Sequence, residues 1–318
     1  MVTQRHPIRG FVYVGLATLQ WGIAACLGRA VFTGRMRIGG EIVGNIDALA
    51  IAQGRVTFSC IVLLTILVAR RGVRSLYLPG KDVVKLVLIG VLGMAASNYF
   101  YYLAIQRTNV ATAIIVQYTA PVWVLLYTVG RGLQKPTLKR IGGVGLAVVG
   151  IAMVIDLVHG SGLRLDRIGV GAALLAALSF SYYNIAAHGV LARYDRWKVL
   201  AWTVTVATVF WAVVNPPWKV AAAHYSRPQW IFLAGFSLIS MLGPFSFYFS
   251  GLQHLEPTRA VIASCLEPVF SILIAAVALE EGVNATQVAG IVLVLLAIIL
   301  AQLPERGERE TLVVEAIE

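Results

Sequence analysis

The sequence predicts an all-α membrane protein: ten transmembrane helices, arranged as two inverted five-helix repeats around a central cavity. Three observations carry this. First, of 318 residues 58% are hydrophobic and only 13% charged, with a mean hydropathy of +0.79. Second, unalternating apolar runs of about 20 residues recur along the chain, the length a helix needs to cross about 30 Å of hydrocarbon. A backbone in lipid must satisfy its own hydrogen bonds, and runs of this kind do so as helices rather than as a closed barrel. Third, Tyr101–Leu126 (YYLAIQRTNVATAIIVQYTAPVWVLL) overlays Tyr248–Leu273 (YFSGLQHLEPTRAVIASCLEPVFSIL) at a constant offset of 147 residues, without a gap. Tyr101 falls on Tyr248, Pro121 on Pro268, Leu126 on Leu273 and, further on, Gly143 on Gly290. An echo this long argues for two copies of one unit.

Taken in order, residues 1–10 form a polar tail, 11–158 the first repeat, 168–303 the second and 304–318 another polar tail. Span one covers 11–32. Its Ile23-Ala24-Ala25-Cys26 looks like a lipoprotein cleavage box, but Leu16–Trp21 is echoed by Leu175–Phe180, so the span is expected to stay with the repeat. A glycine-rich loop, 34–47, precedes span two (48–69). Spans three (83–105), four (110–129) and five (141–158) complete the first unit. The second unit comprises span six (168–191), span seven (199–214), span eight (230–252), span nine (259–279) and span ten (288–303). Span seven stops at Asn215-Pro216-Pro217. Span eight is interrupted at Gly243-Pro244, which makes Pro244 a candidate hinge. Because five is odd, the second unit enters the membrane from the opposite side, the plan of many secondary transporters.

The net charge is +11. No basic face alternates with exposed aromatics, so nucleic acid is not an expected partner; positive charge gathers in loops on one side instead. With the amino terminus inside, 17 of the 26 Lys and Arg lie on the cytoplasmic side, so both termini are expected in the cytoplasm of a bacterial plasma membrane. Glu280 and Glu281 then face outward. Cys26, Cys60 and Cys265 all lie in apolar runs, and neither a disulfide, a metal nor a cofactor is expected.

These motifs together resemble the drug/metabolite transporter superfamily, specifically its members with two EamA-type domains. The resemblance rests on the doubled stretch above, on GGVGLAVVGIAMV in the first unit, and on ALEEG and AGIVLVLLAIIL in the second. It implies export or import of small metabolites, such as amino acids or drug-like compounds, through a central cavity by alternating access, export being the expected direction. One departure is that the acidic pair Glu280 and Glu281 aligns with Leu133 and Gln134, so an acid there is not duplicated.

The residues that could carry chemistry are those that hydrocarbon makes costly. Pro121 and Pro268 each withdraw a backbone donor from the carbonyl four residues earlier, Gln117 and Ser264, and are candidate hinges. Arg55, seven residues inside span two, would cost about 2.5–3.5 kcal/mol at a helix centre, so it needs a partner or water. Its fork suits a substrate carboxylate or phosphate, while its nearness to the outer boundary favours pairing with Asp47 or with helix carbonyls there. Glu267, near the middle of span nine, could hold a proton in one state and a cationic group in another; its counterpart is Ala120. Trp21, Asn98, Tyr99, Tyr102, Gln117, Tyr182, Tyr183, Asn184, Phe245 and Tyr248 form an aromatic and amide set, suited to a cavity for a small-molecule substrate with apolar and polar parts. His188 reads as a satisfied interface residue. The expected partners are a small molecule, the lipid bilayer and protons as coupling ion. An intramembrane enzyme is the alternative, but HExxH and GxSxG are missing and the five histidines are scattered; no GxxxxGK[ST] provides for ATP.

Overall fold

The computed structural model describes residues 6–32, 34–44, 46–108, 110–156, 166–278 and 283–303. Glu280, Glu281 and His159 lie outside the described residues. The described residues form ten apolar rods. Rod one is α1 (Pro7–Phe32). In the glycine-rich loop, β1 (Arg37–Ile38) and β2 (Glu41–Ile42) pair antiparallel. Their two-residue turn places Gly39 and Gly40 at φ of 61° and 87°, values that glycine adopts without strain and that match the twist of a hairpin.

Rod two is α2 (Ala48–Arg71). Rod three joins α3 (Gly80–Leu88), a π-helical segment (Ile89–Ala95) and α4 (Ala96–Arg107). Rod four is α5 (Val110–Gln117) and α6 (Ala120–Gly130), and rod five is α7 (Leu138–Val154). Rods six and seven are α8 (Arg167–Leu191) and α9 (Arg196–Val214), followed by the short α10 (Pro217–Ala222). Rod eight joins α11 (Arg227–Ser237), a second π segment (Leu238–Leu242) and α12 (Gly243–Leu252). Rod nine is α13 (Pro257–Ser264) with α14 (Leu266–Ala278), and rod ten is α15 (Ala285–Gln302).

Caps explain where the rods depart from the expected spans. Asp195 accepts the Trp197 amide at 3.0 Å, and a Ser226–Gln229 capping box opens α11, so rods seven and eight begin about one turn earlier than the hydrophobic pattern suggests. Eight helical segments are long and apolar enough to cross a membrane. Span five ends earlier than expected: α7 has 17 residues, about 25 Å at 1.5 Å per residue. It stops where Asp156 turns to a φ of 53°.

The offset of 147 returns in three dimensions. The second π segment matches positions 91–95 of the first. Rod four breaks at Tyr118–Thr119 and rod nine at Cys265, the counterpart of Tyr118. Thr137 caps α7 through the Arg140 amide, and Asn284, its counterpart, caps α15 through the Gln287 amide. Packing follows the same two-fold relation. Rod six lies on rods three and four, as rod one lies on rods eight and nine, while rod two packs on rod seven and rod five on rod ten.

The rod five–rod ten contact depends on glycine. A Cβ on Gly290 would lie 2.6 Å from the Val154 nitrogen and 2.7 Å from the Gly150 oxygen, so the helices approach backbone to backbone. Gly290→Val should therefore destabilise the protein by about 1–3 kcal/mol, read as a lowered melting temperature in detergent. Gly145→Val on α7, where a Cβ meets nothing within 4 Å, should leave it unchanged. Equal melting of the two variants would contradict this packing.

The two ends of the bundle differ. At the face bearing the start of α1, α6 packs on α13 and α8 on α12. Their two-fold counterparts at the other end, α5 with α14 and α1 with α4, make no comparable packing among the described residues. The space between the repeats is thus sealed at the amino-terminal face and parted at the opposite one.

Candidate functional site between the repeats

Both proline-bearing rods break where the sequence places Pro121 and Pro268. The breaks are closed by short-range bonds, Thr119 N to Val116 O and Cys265 N to Ile262 O, each 3.1 Å. The first break presents Tyr118, and the second puts Glu267 in the first turn of α14. Tyr118 lies within hydrogen-bonding reach of the Glu267 carboxyl, and Arg55 acts on that carboxyl electrostatically. Tyr101 faces the same pair from α4. Four rods and both repeats therefore converge on one polar centre near mid-membrane depth.

Of its two expected kinds of partner, Arg55 finds the helix carbonyl. Its partner is not Asp47, which is exposed at the start of α2. Arg55 Nη2 donates to the Ser240 carbonyl at 2.8 Å, across to the second π segment. A π segment displaces the ordinary i→i−4 pairing, so its carbonyls are open to a side-chain donor. Arg55 Nε and Ser240 Oγ are both buried without a hydrogen-bond partner among the described residues. An orphaned buried polar atom costs about 1–3 kcal/mol, so a polar group arriving here gains what those two atoms lack. Arg55, Tyr101, Tyr102, Gln117, Tyr118 and Glu267 all keep partial exposure despite their depth.

Toward the amino-terminal face this centre ends on an aromatic floor. Trp21 meets Phe245 edge-on at 5.3 Å and Tyr248 at 5.4 Å. Tyr183 stacks on Phe249, with ring centroids 5.6 Å apart. The Tyr248 hydroxyl donates to Asn184 Oδ1, and Asn184 Nδ2 donates to the Phe180 carbonyl, linking α12 to α8. Beyond the floor lies a polar clasp. Glu256 accepts from Gln134 Nε2 at 3.0 Å and Arg140 Nη2 at 3.1 Å, and the Thr258 hydroxyl donates to Gln134 Oε1 at 2.9 Å. The clasp ties the repeats together on the sealed side.

Other candidates lie elsewhere. Tyr99 packs on Phe210 and Trp211 of α9, a helix face away from the centre. Asn98 donates within its own rod to the Met94 carbonyl at 2.7 Å, inside the first π segment. Tyr182 is exposed on a lateral groove. Pro244 stands directly after the second π segment, at the start of α12. His188 Nδ1 bonds the Leu252 carbonyl at 2.9 Å. Tyr101, Tyr118 and Ser240, which complete the centre, were not singled out in the sequence. The break before Pro121 could have pointed to Tyr118, while nothing local marks Ser240.

If the breaks serve the centre, replacing both Pro121 and Pro268 by Ala should lower transport at least tenfold while leaving the amount of folded protein unchanged. A normal rate in that double variant would return both prolines to a packing role.

The comparisons with known proteins now bear directly on this arrangement. Two copies of the family model described as "EamA-like transporter family" match residues 12–156 and 167–303. The chain belongs to the EamA-like transporter family. Among its EamA relatives is the "Uncharacterized inner membrane transporter YicL" of Salmonella typhimurium, 21% identical over 301 residues, covering 94% of this chain and 96% of the relative. An "Uncharacterized transporter" of Archaeoglobus fulgidus is 21% identical over 283 residues, covering 89% and 97%. A solved structure described as "Crystal structure of protein" matches the fold with a TM-score of 0.75 at 17% identity, covering 93% of this chain and 97% of its own. This EamA protein is accordingly a membrane transporter.

Proposed function

We propose that the protein moves small organic metabolites across a bacterial plasma membrane by alternating access, driven by a proton gradient and not by ATP. The observation that carries this reading is the centre in which Glu267 meets Tyr118 and Arg55. A carboxyl, a phenol and a guanidinium from both repeats, each partly open to solvent, can bind a polar molecule and exchange a proton at one depth. The aromatic floor supports a substrate with an apolar or aromatic portion. The parted end of the bundle corresponds to an outward-facing state, if the basic loops lie in the cytoplasm.

Two measurements test the reading. Purified protein in liposomes, screened against a metabolite library with a pH gradient of either sign, should accumulate at least one compound class without ATP. The sign that works separates export from import, and no flux under any gradient would refute the transport mode. For topology, the three native cysteines are buried, so the labelling background is low. A cysteine at Lys219 should react with an impermeant thiol reagent in intact cells, and one at Lys135 should not. The reverse pattern would overturn the orientation.

A further inference from the structure

A lateral groove, separate from the centre between the repeats, runs between α3 with the first π segment, α6 and α8. It encloses about 790 Å³. Lys85 and Arg193 stand at its mouth, and its walls are mainly apolar, with Trp123, Leu126, Leu178 and Tyr182 among them. The mouth lies at the amino-terminal face, because Arg193 follows the last residue of α8 and Lys85 is in the second turn of α3. From Arg193 to Leu178 is fifteen residues along one rod, about 22 Å at 1.5 Å per residue. That exceeds one leaflet of a hydrocarbon core about 30 Å thick.

The groove is open sideways: Leu126 is 59% and Leu178 39% exposed. Such walls suit hydrocarbon, with the Tyr127 and Tyr182 hydroxyls their main exposed polar groups. At the mouth, one carboxylate opposes two cations. Asp82 accepts the Tyr194 hydroxyl and lies 3.4 Å from Lys85 Nζ, while Arg193, just past the end of α8, is exposed. The rim stays net positive. The groove is also not a by-product of the repeat. The counterparts of Lys85 and Trp123 are Phe232 and Phe270, and a Cβ on Gly22 of α1 would lie 2.8 Å from Phe270 Cβ.

We propose that this groove binds an anionic phospholipid of the leaflet at the amino-terminal face, with its phosphate on Lys85 and Arg193 and an acyl chain along Trp123 and Leu178. Basic pockets between membrane helices recognise anionic headgroups in this way. The lipid would lie against α6, the half of rod four that follows the break before Pro121. The inference stands independently of what is transported.

Native mass spectrometry of the full chain with added phosphatidylglycerol or phosphatidylcholine reads occupancy directly. Phosphatidylglycerol should remain bound and phosphatidylcholine should not. Lys85→Ala with Arg193→Ala should weaken retention roughly thirty-fold, from two basic contacts at the usual strength of each. Arg131→Ala with Lys135→Ala, on the same face but off the groove, should change nothing. Should the groove double variant not fold, Ala186→Trp narrows the trough without altering charge and should likewise reduce retention. Equal retention of both lipids, or retention unaffected in the groove variants, overturns the proposal. So does displacement by millimolar inorganic phosphate, which would mark a simple anion site.

Discussion

Glu267→Gln should keep substrate exchange between the two sides of a liposome and lose at least tenfold of the transport driven by a pH gradient. Glutamine keeps the size and hydrogen-bonding reach of a protonated carboxyl, so Tyr118 retains its neighbour and the fold its packing. What it cannot do is release a proton. An ionised side chain at mid-membrane costs about 2.5–3.5 kcal/mol on insertion scales unless something holds it. Here Arg55 acts on the carboxyl when it is ionised, and Tyr118 can bond it in either form. The centre can therefore tolerate both protonation states, which is what coupling requires. The measurement pairs counterflow with gradient-driven flux in the same vesicle preparation. Gradient-driven transport at the normal rate would remove Glu267 from the coupling step.

Arg55→Met should reduce flux of any substrate bearing a carboxylate or phosphate by about a hundredfold, and Arg55→Lys should restore only part of it. Methionine fills the stem volume but leaves the Ser240 carbonyl without its donor, and lysine supplies charge without the two-pronged geometry. Arg55 and Glu267 share one electrostatic environment, so their effects should not add. Contacting residues in one polar network couple by about 0.5–3 kcal/mol. The double variant Arg55→Met with Glu267→Gln should thus lose less than the two single losses combined. Strict additivity in flux would mean that the two side chains act separately. A collapse of the folded fraction in Arg55→Met alone would assign the residue to structure.

Much of this architecture was legible because hydrophobic run length and a constant offset are properties of the chain itself. The paired prolines announced both helix breaks, and the doubled stretch announced the two-fold packing. The partners of the polar residues were less accessible. Arg55 finds Ser240 185 positions away, a meeting fixed by how rods two and eight cross and not by either local sequence. Tyr99 and Tyr102 are three positions apart on one helix, and sequence spacing alone did not say that Tyr99 turns toward α9. The π segments left no compositional mark, since Ile89–Ala95 and Leu238–Leu242 are ordinary apolar stretches. Span five reads further along the chain than it runs because apolar residues continue past the turn that ends α7.

The π segments have a consequence for how such a chain tolerates length change. Each residue added to or removed from a rod rotates everything beyond it by about 100°, one residue's share of a turn at 3.6 residues per turn. The wide turn in Ile89–Ala95 sets the angular phase between the two ends of rod three, so that Lys85 and Ile89 address the lateral groove while Tyr101 addresses the centre. A single deletion there, at Leu92 for instance, would remove no named contact and yet swing Tyr101 away from Glu267. Within those seven positions, the number of residues constrains the protein more tightly than their identity does.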